Sequence, residues 1–244
     1  MTDNSLKTKG SYKHYDSFYR IAYDFYKFSS WGEKLAKDPP PCYKDDYFLK
    51  VGAGCSQLNG EFFETWEIIT QYIKDNNLKK ITFLEIGAFN GLWGLMLSHI
   101  GEELNIPYEY TAIDFAPELI STPEKTSLFK LKKYYQNRKQ INTIIASDSR
   151  DITNLDKLNK EYNIVFIDGD HSYEGVASDI KLYSNLATDI LLFHDILWRD
   201  RVSNIDNENY RVRKAINDSK IKLDEEISYK IGGMGIGIKY IKNA

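Results

Sequence analysis

The sequence predicts an α/β fold in which helices cover both faces of a doubly wound, mostly parallel sheet. From residue 80 onward, short apolar runs alternate with longer stretches that repeat apolar residues every three or four positions. Strands that alternate with amphipathic helices form βαβ units and parallel sheets. The run at residues 164–167 is apolar throughout and ends abruptly in charged residues. Such a run is typical of a buried parallel strand whose end delivers polar side chains to a site.

The individual elements are predicted from the period of the apolar residues. Five strands are expected at residues 81–86, 108–113, 141–146, 164–167 and 190–193. Helices are expected at about residues 91–104, 124–137, 153–161, 173–185 and 210–219. The C-terminal segments 227–231 and 236–241 flank a glycine-rich turn, which predicts a closing pair of strands with antiparallel pairing.

The first 60 residues differ in character from the rest of the chain. Tyrosines recur every three or four positions between residues 12 and 26, which predicts one helical stripe. Prolines at residues 39–41 then stop any helix and mark a linker, and a helix is expected at about residues 61–76. We therefore predict an N-terminal, aromatic-rich helical extension or lid over residues 1–60 and a main domain over residues 61–244.

The composition argues against several classes of function. A net charge of −3 and a pI of about 5.9 do not fit the basic surface of a nucleic-acid-binding protein. No segment is long and apolar enough to span a membrane, and the polar N-terminus lacks the apolar core of a signal peptide. The two cysteines, Cys42 and Cys55, suit a reducing compartment. We expect a soluble cytoplasmic protein that binds neither nucleic acid nor membranes.

A glycine loop follows the first strand, in the sequence Glu-Ile-Gly-Ala-Phe-Asn-Gly at residues 85–91. Gly87 and Gly91 allow a tight turn and a close approach of the backbone to a ligand. Asp114 ends the second strand, where a carboxylate can accept hydrogen bonds from both hydroxyls of a ribose. The G-x-x-x-G spacing differs from the G-x-G-x-x-G of dinucleotide sites. The combination favours a nucleoside-containing cofactor, with an ordinary strand–helix turn as the alternative.

A cluster of carboxylates and imidazoles follows the fourth and fifth strands. The sequence Asp-Gly-Asp-His ends the fourth strand at residues 168–171, and His194 and Asp195 end the fifth. Because neighbouring strands lie about 5 Å apart, Asp168, His194 and Asp195 are expected to converge. Carboxylates suit Mg²⁺, Ca²⁺ or Mn²⁺, and an imidazole favours Mn²⁺ or a softer metal. The alternatives are a helix cap, which we favour for Asp170, and an ordinary half-buried histidine at position 194.

These motifs resemble those of class I S-adenosylmethionine-dependent methyltransferases. The glycine loop with Asp114 is similar to the first two motifs of that class, and the turn at residues 146–149 resembles its adenine-contacting turn. The resemblance covers roughly residues 60–241. It implies a Rossmann-like, seven-stranded sheet with an antiparallel C-terminal strand, so that residues 61–244 are a methyltransferase domain. It also implies S-adenosylmethionine as cofactor, with these binding residues: Glu85, Gly87, Ala88, Asn90, Gly91, Asp114, Phe115, Ser147, Asp148 and Asp168.

A narrower resemblance rests on residues 166–176 and 193–196, which are similar to macrocin-type sugar O-methyltransferases and cephalosporin hydroxylase-like proteins. It implies that Asp168 binds a divalent metal, Mg²⁺ or Mn²⁺, and we expect His194 and Asp195, at the end of the neighbouring strand, to be the other ligands. His171 is implied as the general base, and the catalytic residues are then His171 and Asp168. The chain departs from this pattern at His194, where related metal-dependent enzymes more often carry a second acid.

The function implied is methyl transfer from S-adenosylmethionine to a hydroxyl of a small acceptor. A sugar, sugar nucleotide or other polyol is expected, as in carbohydrate biosynthesis, and a homo-oligomer is possible. The alternatives are a metal-independent or N-directed methyltransferase and a catalytically silent scaffold. The absent G-x-G speaks against an NAD-linked oxidoreductase.

Overall fold

A seven-stranded sheet forms the centre of the protein in the computed structural model, which describes residues 59–88, 91–115, 141–197, 211–227 and 234–242. The strands lie in the order β3-β2-β1-β4-β5-β7-β6. Their bounds are β1 Ile81–Ile86, β2 Tyr108–Asp114, β3 Ile141–Ala146, β4 Tyr162–Ile167, β5 Ala187–Phe193, β6 Glu225–Ile227 and β7 Ile236–Tyr240.

Strand direction in this sheet agrees with the predicted fold. The first five strands pair in parallel, and β7 runs antiparallel between β5 and β6. A mostly parallel, seven-stranded sheet with an antiparallel C-terminal strand is therefore confirmed. A strand was expected at residues 227–231. The structure shows β6 at Glu225–Ile227, and residues 228–233 lie outside the described residues.

The helices of the described ranges are α1 Asn59–Asp75, α2 Leu92–Leu104, α3 Tyr173–Tyr183 and α4 Arg211–Asp218. The helix predicted at residues 153–161 is wrong in type, since a short 3-10 helix, Ile152–Lys157, stands there. Asp151 starts it by accepting the N–H of Thr153, and β4 begins too soon afterwards for a longer helix. The helical stripe before residue 59 and the helix predicted at 124–137 lie outside the described residues.

Two apolar clusters pack against opposite faces of the sheet. On one face, α1 and α2 cover strand residues such as Phe83 and Phe166. On the other, α3 and α4 cover Leu84 and Val165, which are the sequence neighbours of those residues. Alternate strand residues point to opposite faces, so helices enclose the sheet from both sides. No helix in the described part of the chain has the length and apolar character needed to cross a membrane.

A buried carboxylate joins the strands at the edge of the sheet away from their carboxyl ends. Asp189 of β5 accepts hydrogen bonds from Asn163 (2.9 Å), Tyr72 (3.2 Å) and the ammonium group of Lys242 (2.8 Å). The Asp189→Ala variant leaves these donors without their acceptor, so we expect a loss of about 2–3 kcal/mol in the free energy of unfolding. Urea denaturation measures it. Lys242→Ala, which removes a half-exposed group, should cost much less, and equal losses would contradict this account.

Candidate active site

The carboxyl ends of the parallel strands lie side by side, because backbone hydrogen bonds continue the pairing one residue beyond the strands. The N–H of Asp168 donates to the last carbonyl of β1 (2.8 Å), and the N–H of His194 donates to the last carbonyl of β4 (3.2 Å). The N–H of Gly87 donates to the carbonyl of Ile113 in β2 (2.8 Å). Gly87, Asp168 and His194 therefore stand in one row at the edge of the sheet.

The glycine loop turns sharply against the end of β4. Gly87 has φ +85°, and a Cβ atom there would overlap the carbonyl oxygen of Asp168. Gly91 precedes α2 with φ +72°, also in the left-handed region that favours glycine. Ala88 between them is buried, and Asn90 lies outside the described residues. Only glycine at position 87 lets the loop come this close to Asp168.

Glu85 lies below this loop, in the interior. Its side chain is buried and accepts a hydrogen bond from the hydroxyl of Tyr110. Burial is the main cause that raises the pKa of Glu85 well above its ordinary value, and the nearby carboxylate of Asp168 adds to it. Burial thus favours the neutral form of the Glu85 carboxyl group.

The ends of β2 and β3 carry the other predicted cofactor-binding residues. Asp114 is half-buried, and the ring of Phe115 after it is 60% exposed. The N–H of Ser147 donates to the carbonyl of Asp114 (3.1 Å), so the two strand ends stay together. The end of β2 thus presents an acidic and an aromatic side chain next to each other.

The carboxylate of Asp148 is already bound within the chain. Its oxygens accept hydrogen bonds from Nε (2.9 Å) and Nη2 (2.6 Å) of Arg150. These bonds from the guanidinium group, with one from the backbone N–H of Arg150, lower the pKa of Asp148 to about 2. Sequence reasoning singled out Asp148 and missed this partner, although it lies only two residues further on.

Asp168, His194 and Asp195 meet at the ends of β4 and β5. One ligand atom from each lies within 4.8 Å of the others. Nδ1 of His194 is 3.0 Å from Oδ1 of Asp168 and 3.1 Å from Oδ1 of Asp195. The structure therefore brings together the three residues that the sequence predicts as metal ligands.

The backbone of Asp195 explains how two consecutive residues face one point. Asp195 has φ +58°, a left-handed conformation that few residues other than glycine and asparagine or aspartate adopt. It interrupts the alternation of a strand, so His194 and Asp195 both turn towards Asp168. Burial is the main cause that raises the pKa of Asp195. Oδ1 of Asp195 accepts no hydrogen bond from any residue within the described ranges.

His171 stands at the solvent side of this cluster. Its Nε2 atom lies 3.0 Å from Oδ2 of Asp195 and 3.5 Å from Oδ1 of Asp168, and its side chain is 30% exposed. Burial alone would lower the pKa of His171, but the two carboxylates outweigh it and raise the pKa above its ordinary value. When Nε2 carries the proton that Asp195 accepts, Nδ1 is the ring nitrogen with the lone pair.

The N-cap of α3 is Ser172, not Asp170 as predicted, and it directly follows His171. Ser172 is the N-cap, and its hydroxyl oxygen accepts the N–H of Gly175 (3.0 Å). Asp170, which we expected to be the cap, instead accepts the N–H of Ser172 (2.9 Å). Ser172 can take this place because its side chain reaches the first turn directly. His171 is held between these two bonded residues.

Sequence reasoning missed Glu61, a fully buried acid of α1. Its Oε1 atom accepts the N–H of Gly235 (2.8 Å), and its Oε2 atom lies 3.9 Å from Nε2 of His194. One signal could have found it, since Glu61 lies eight and twelve residues before the apolar Ile69 and Ile73, on the same face of the helix. An acid on the buried face of a helix requires a partner.

The electrostatics of His194 follow from its surroundings. Burial alone would lower its pKa, but the carboxylates of Asp168, Glu61 and Asp195 outweigh burial and raise the pKa to about 10. Burial also opposes the ionisation of Asp168, yet the two histidines keep the pKa of that carboxyl below its ordinary value. The carboxylates of this cluster thus favour a positive charge on His194.

The part of the chain that carries this site is similar to known methyltransferases. Residues 84–196 match the model of a methyltransferase domain family. The structure of the O-methyltransferase NovP, 11% identical, superposes with a TM-score of 0.57 over 91% of this chain and 98% of NovP. A Bacillus cereus O-methyltransferase in complex with S-adenosylhomocysteine, 10% identical, gives 0.51 over 89% of this chain and 99% of that one.

A third solved structure and a search of curated sequences show how distant this similarity is. A Staphylococcus aureus structure, provisionally assigned as a caffeoyl-CoA O-methyltransferase, is 20% identical and gives a TM-score of 0.50 over 93% of this chain and 99% of that one. No curated protein sequence is significantly similar to the chain. Likenesses at such low identity show the fold, and the family match covers the strand ends that carry the cluster. Residues 84–196 are therefore similar to a methyltransferase domain family, and the chain has the fold of these O-methyltransferase structures.

Proposed function

We propose that the protein is an O-methyltransferase that moves a methyl group from S-adenosylmethionine to a hydroxyl of a small polar acceptor. The observation that carries this proposal is that the backbone of Asp168 lies against Gly87 of the glycine loop, while Nε2 of His171 lies 3.5 Å from the Asp168 carboxylate and 3.0 Å from that of Asp195. A proton acceptor thus lies next to the expected cofactor site. That the acceptor is a sugar, sugar nucleotide or other polyol rests on the sequence resemblance.

The strand ends offer groups that suit the chemistry of the cofactor. Gly87 lets the loop pack directly against Asp168, and the half-buried Asp114 can accept the ribose hydroxyls. The exposed ring of Phe115 offers a flat apolar surface for an adenine. When bound, S-adenosylmethionine supplies an electrophilic methyl group on a positively charged sulfur.

His171 carries the acid–base step of this proposal. An alcohol is a weak nucleophile at neutral pH, so its proton has to leave as the oxygen attacks the methyl carbon. The O–C bond forms, the C–S bond breaks, and the proton passes to the lone pair of Nδ1 in His171. Asp195 accepts the N–H of the opposite ring nitrogen and stabilises the imidazolium that results.

The donor set also fits a divalent cation. Asp168, His194 and Asp195 offer two carboxylates and an imidazole within 4.8 Å, and Oδ1 of Asp195 makes no hydrogen bond to the described residues. Such donors suit Mn²⁺ or Mg²⁺. A cation bound there would lower the pKa of an acceptor hydroxyl and offset the carboxylate charges that favour a protonated His171.

Removal of metal tests this part of the proposal. We expect a chelator to abolish methyl transfer by the purified protein, and added Mn²⁺ or Mg²⁺ to restore it, because the carboxylate cluster then regains its charge partner. Transfer of labelled methyl groups to a panel of sugars and sugar nucleotides measures turnover. Circular dichroism before and after chelation controls for unfolding.

A metal-independent methyltransferase is the second candidate, and the environment of His194 favours it. A protonated His194, whose pKa is raised to about 10, supplies a positive charge between the carboxylates without any metal. His171 and Asp195 would then act as a base and its orienting carboxylate. Full turnover in the presence of chelator would support this candidate and contradict the metal-assisted one.

A further inference from the structure

Two buried polar atoms face each other across the base of the cluster. Oε2 of Glu61 and Nε2 of His194 lie 3.9 Å apart, and neither makes a hydrogen bond to any other residue that the structure describes. Both side chains are almost completely buried, at 0% and 1% exposure. A buried carboxylate oxygen without a donor or a positive charge beside it destabilises the fold. Among the described residues, the ring of His194 is the group that can stabilise the charge on Oε2 of Glu61.

The position of Glu61 determines which nitrogen of His194 carries hydrogen. A lone pair on Nε2 would face the negative oxygen of Glu61 and repel it, so Nε2 has to present an N–H. Nδ1 faces the opposite way, between carboxylate oxygens of Asp168 and Asp195 at 3.0 and 3.1 Å. Positive charge, from either a proton or a metal ion, has to lie at that side.

The orientation of Glu61 is itself fixed by the chain. Its Oε1 atom accepts the backbone N–H of Gly235, just before β7, at 2.8 Å. With one oxygen held there, the other points at the imidazole. Glu61 therefore connects α1, the turn before β7 and the end of β5, three parts of the chain that are far apart in sequence.

We propose that Glu61 is a positioning residue that holds the hydrogen of His194 on Nε2, so that Nδ1 is presented as a ligand to the cation held with Asp168 and Asp195. This inference rests on the metal-assisted form of the proposed function. Residues that accept the second N–H of a ligating histidine raise its basicity and fix its ring, and their loss typically lowers metal affinity about 10–100-fold. Glu61 occupies that place here.

The Glu61→Gln variant tests the inference. Its amide oxygen can still accept the N–H of Gly235, but its NH₂ group would face the N–H of His194 as a second donor. Titration calorimetry with Mn²⁺ should show about 10–100-fold weaker binding than in the wild type, and the affinity for S-adenosylmethionine should not change. Glu67→Gln, on the same helix, is the matched control and should bind Mn²⁺ like the wild type.

A spectroscopic measurement on the wild type tests the inference even if the Glu61→Gln variant does not fold. In Mg²⁺-loaded protein with ¹⁵N-labelled histidine, NMR should show the ring hydrogen of His194 on Nε2. A hydrogen on Nδ1 instead, or wild-type Mn²⁺ affinity in Glu61→Gln, would overturn the role of Glu61 alone. A wild-type protein that binds no Mn²⁺ would overturn this inference together with the metal-assisted mechanism.

Discussion

Replacing His171 with alanine is expected to lower kcat by about 10²–10⁴-fold, the usual contribution of a general base. The variant loses the ring that lies 3.0 Å from Asp195 and that we propose as the acceptor of the hydroxyl proton. The affinity for S-adenosylmethionine should be unchanged, because His171 follows β4 and belongs neither to the glycine loop nor to the ends of β2 and β3, where the cofactor is proposed to bind. Single-turnover kinetics and calorimetry measure the two quantities separately.

A matched variant separates proton acceptance from packing. His171→Gln keeps a donor of similar length for Asp195 but offers no basic nitrogen. It should fold, bind cofactor and remain nearly as slow as the alanine variant. Near-normal turnover in either variant would show that another group takes the proton.

The Asp168→Asn variant is expected to have the second large effect. Oδ1 of Asp168 lies 3.0 Å from Nδ1 of His194 and 3.5 Å from Nε2 of His171, so one carboxylate serves both the cation site and the base. Neutralising it should weaken Mn²⁺ binding by more than the roughly 10–100-fold typical of residues that only orient ligands. Turnover should fall with it. Calorimetry with Mn²⁺ and a methyl-transfer assay check both losses.

Asp170→Asn is the control for this change. Asp170 stands two residues away, and its contact with the N–H of Ser172 can be kept by the amide oxygen. It should bind metal and turn over like the wild type. Equal effects of the two variants would mean that the general negative charge of the segment matters, and would contradict a specific role of Asp168.

The order of strands and helices could be predicted because it depends on local periodicity. The true strands β4 and β5 begin earlier than predicted, at Tyr162 and Ala187. The starts of these strands were not predicted because Asn163 and Asp189 interrupt the apolar runs with polar side chains. In the structure, the two side chains hydrogen-bond to each other across the strands (2.9 Å). A partner on another strand cannot be seen in a local pattern.

The approximate meeting of Asp168, His194 and Asp195 could be predicted for a similar reason, since it follows from the parallel pairing of β4 with β5. The fine geometry could not. The left-handed backbone of Asp195 and the approach of Glu61 from α1 both depend on contacts made over long stretches of chain. Even the pairing of Arg150 with Asp148 required the observed turn after β3.

Calorimetric titration with S-adenosylmethionine, S-adenosylhomocysteine and NAD, with and without Mn²⁺, tests the central claim most directly. The residues at the strand ends predict that both sulfur compounds bind to the wild type and that NAD does not. They also predict that Mn²⁺ binds to the wild type and much more weakly to Asp168→Asn. Failure of both sulfur compounds to bind, under either condition, would contradict the proposal that this chain is an S-adenosylmethionine-dependent O-methyltransferase.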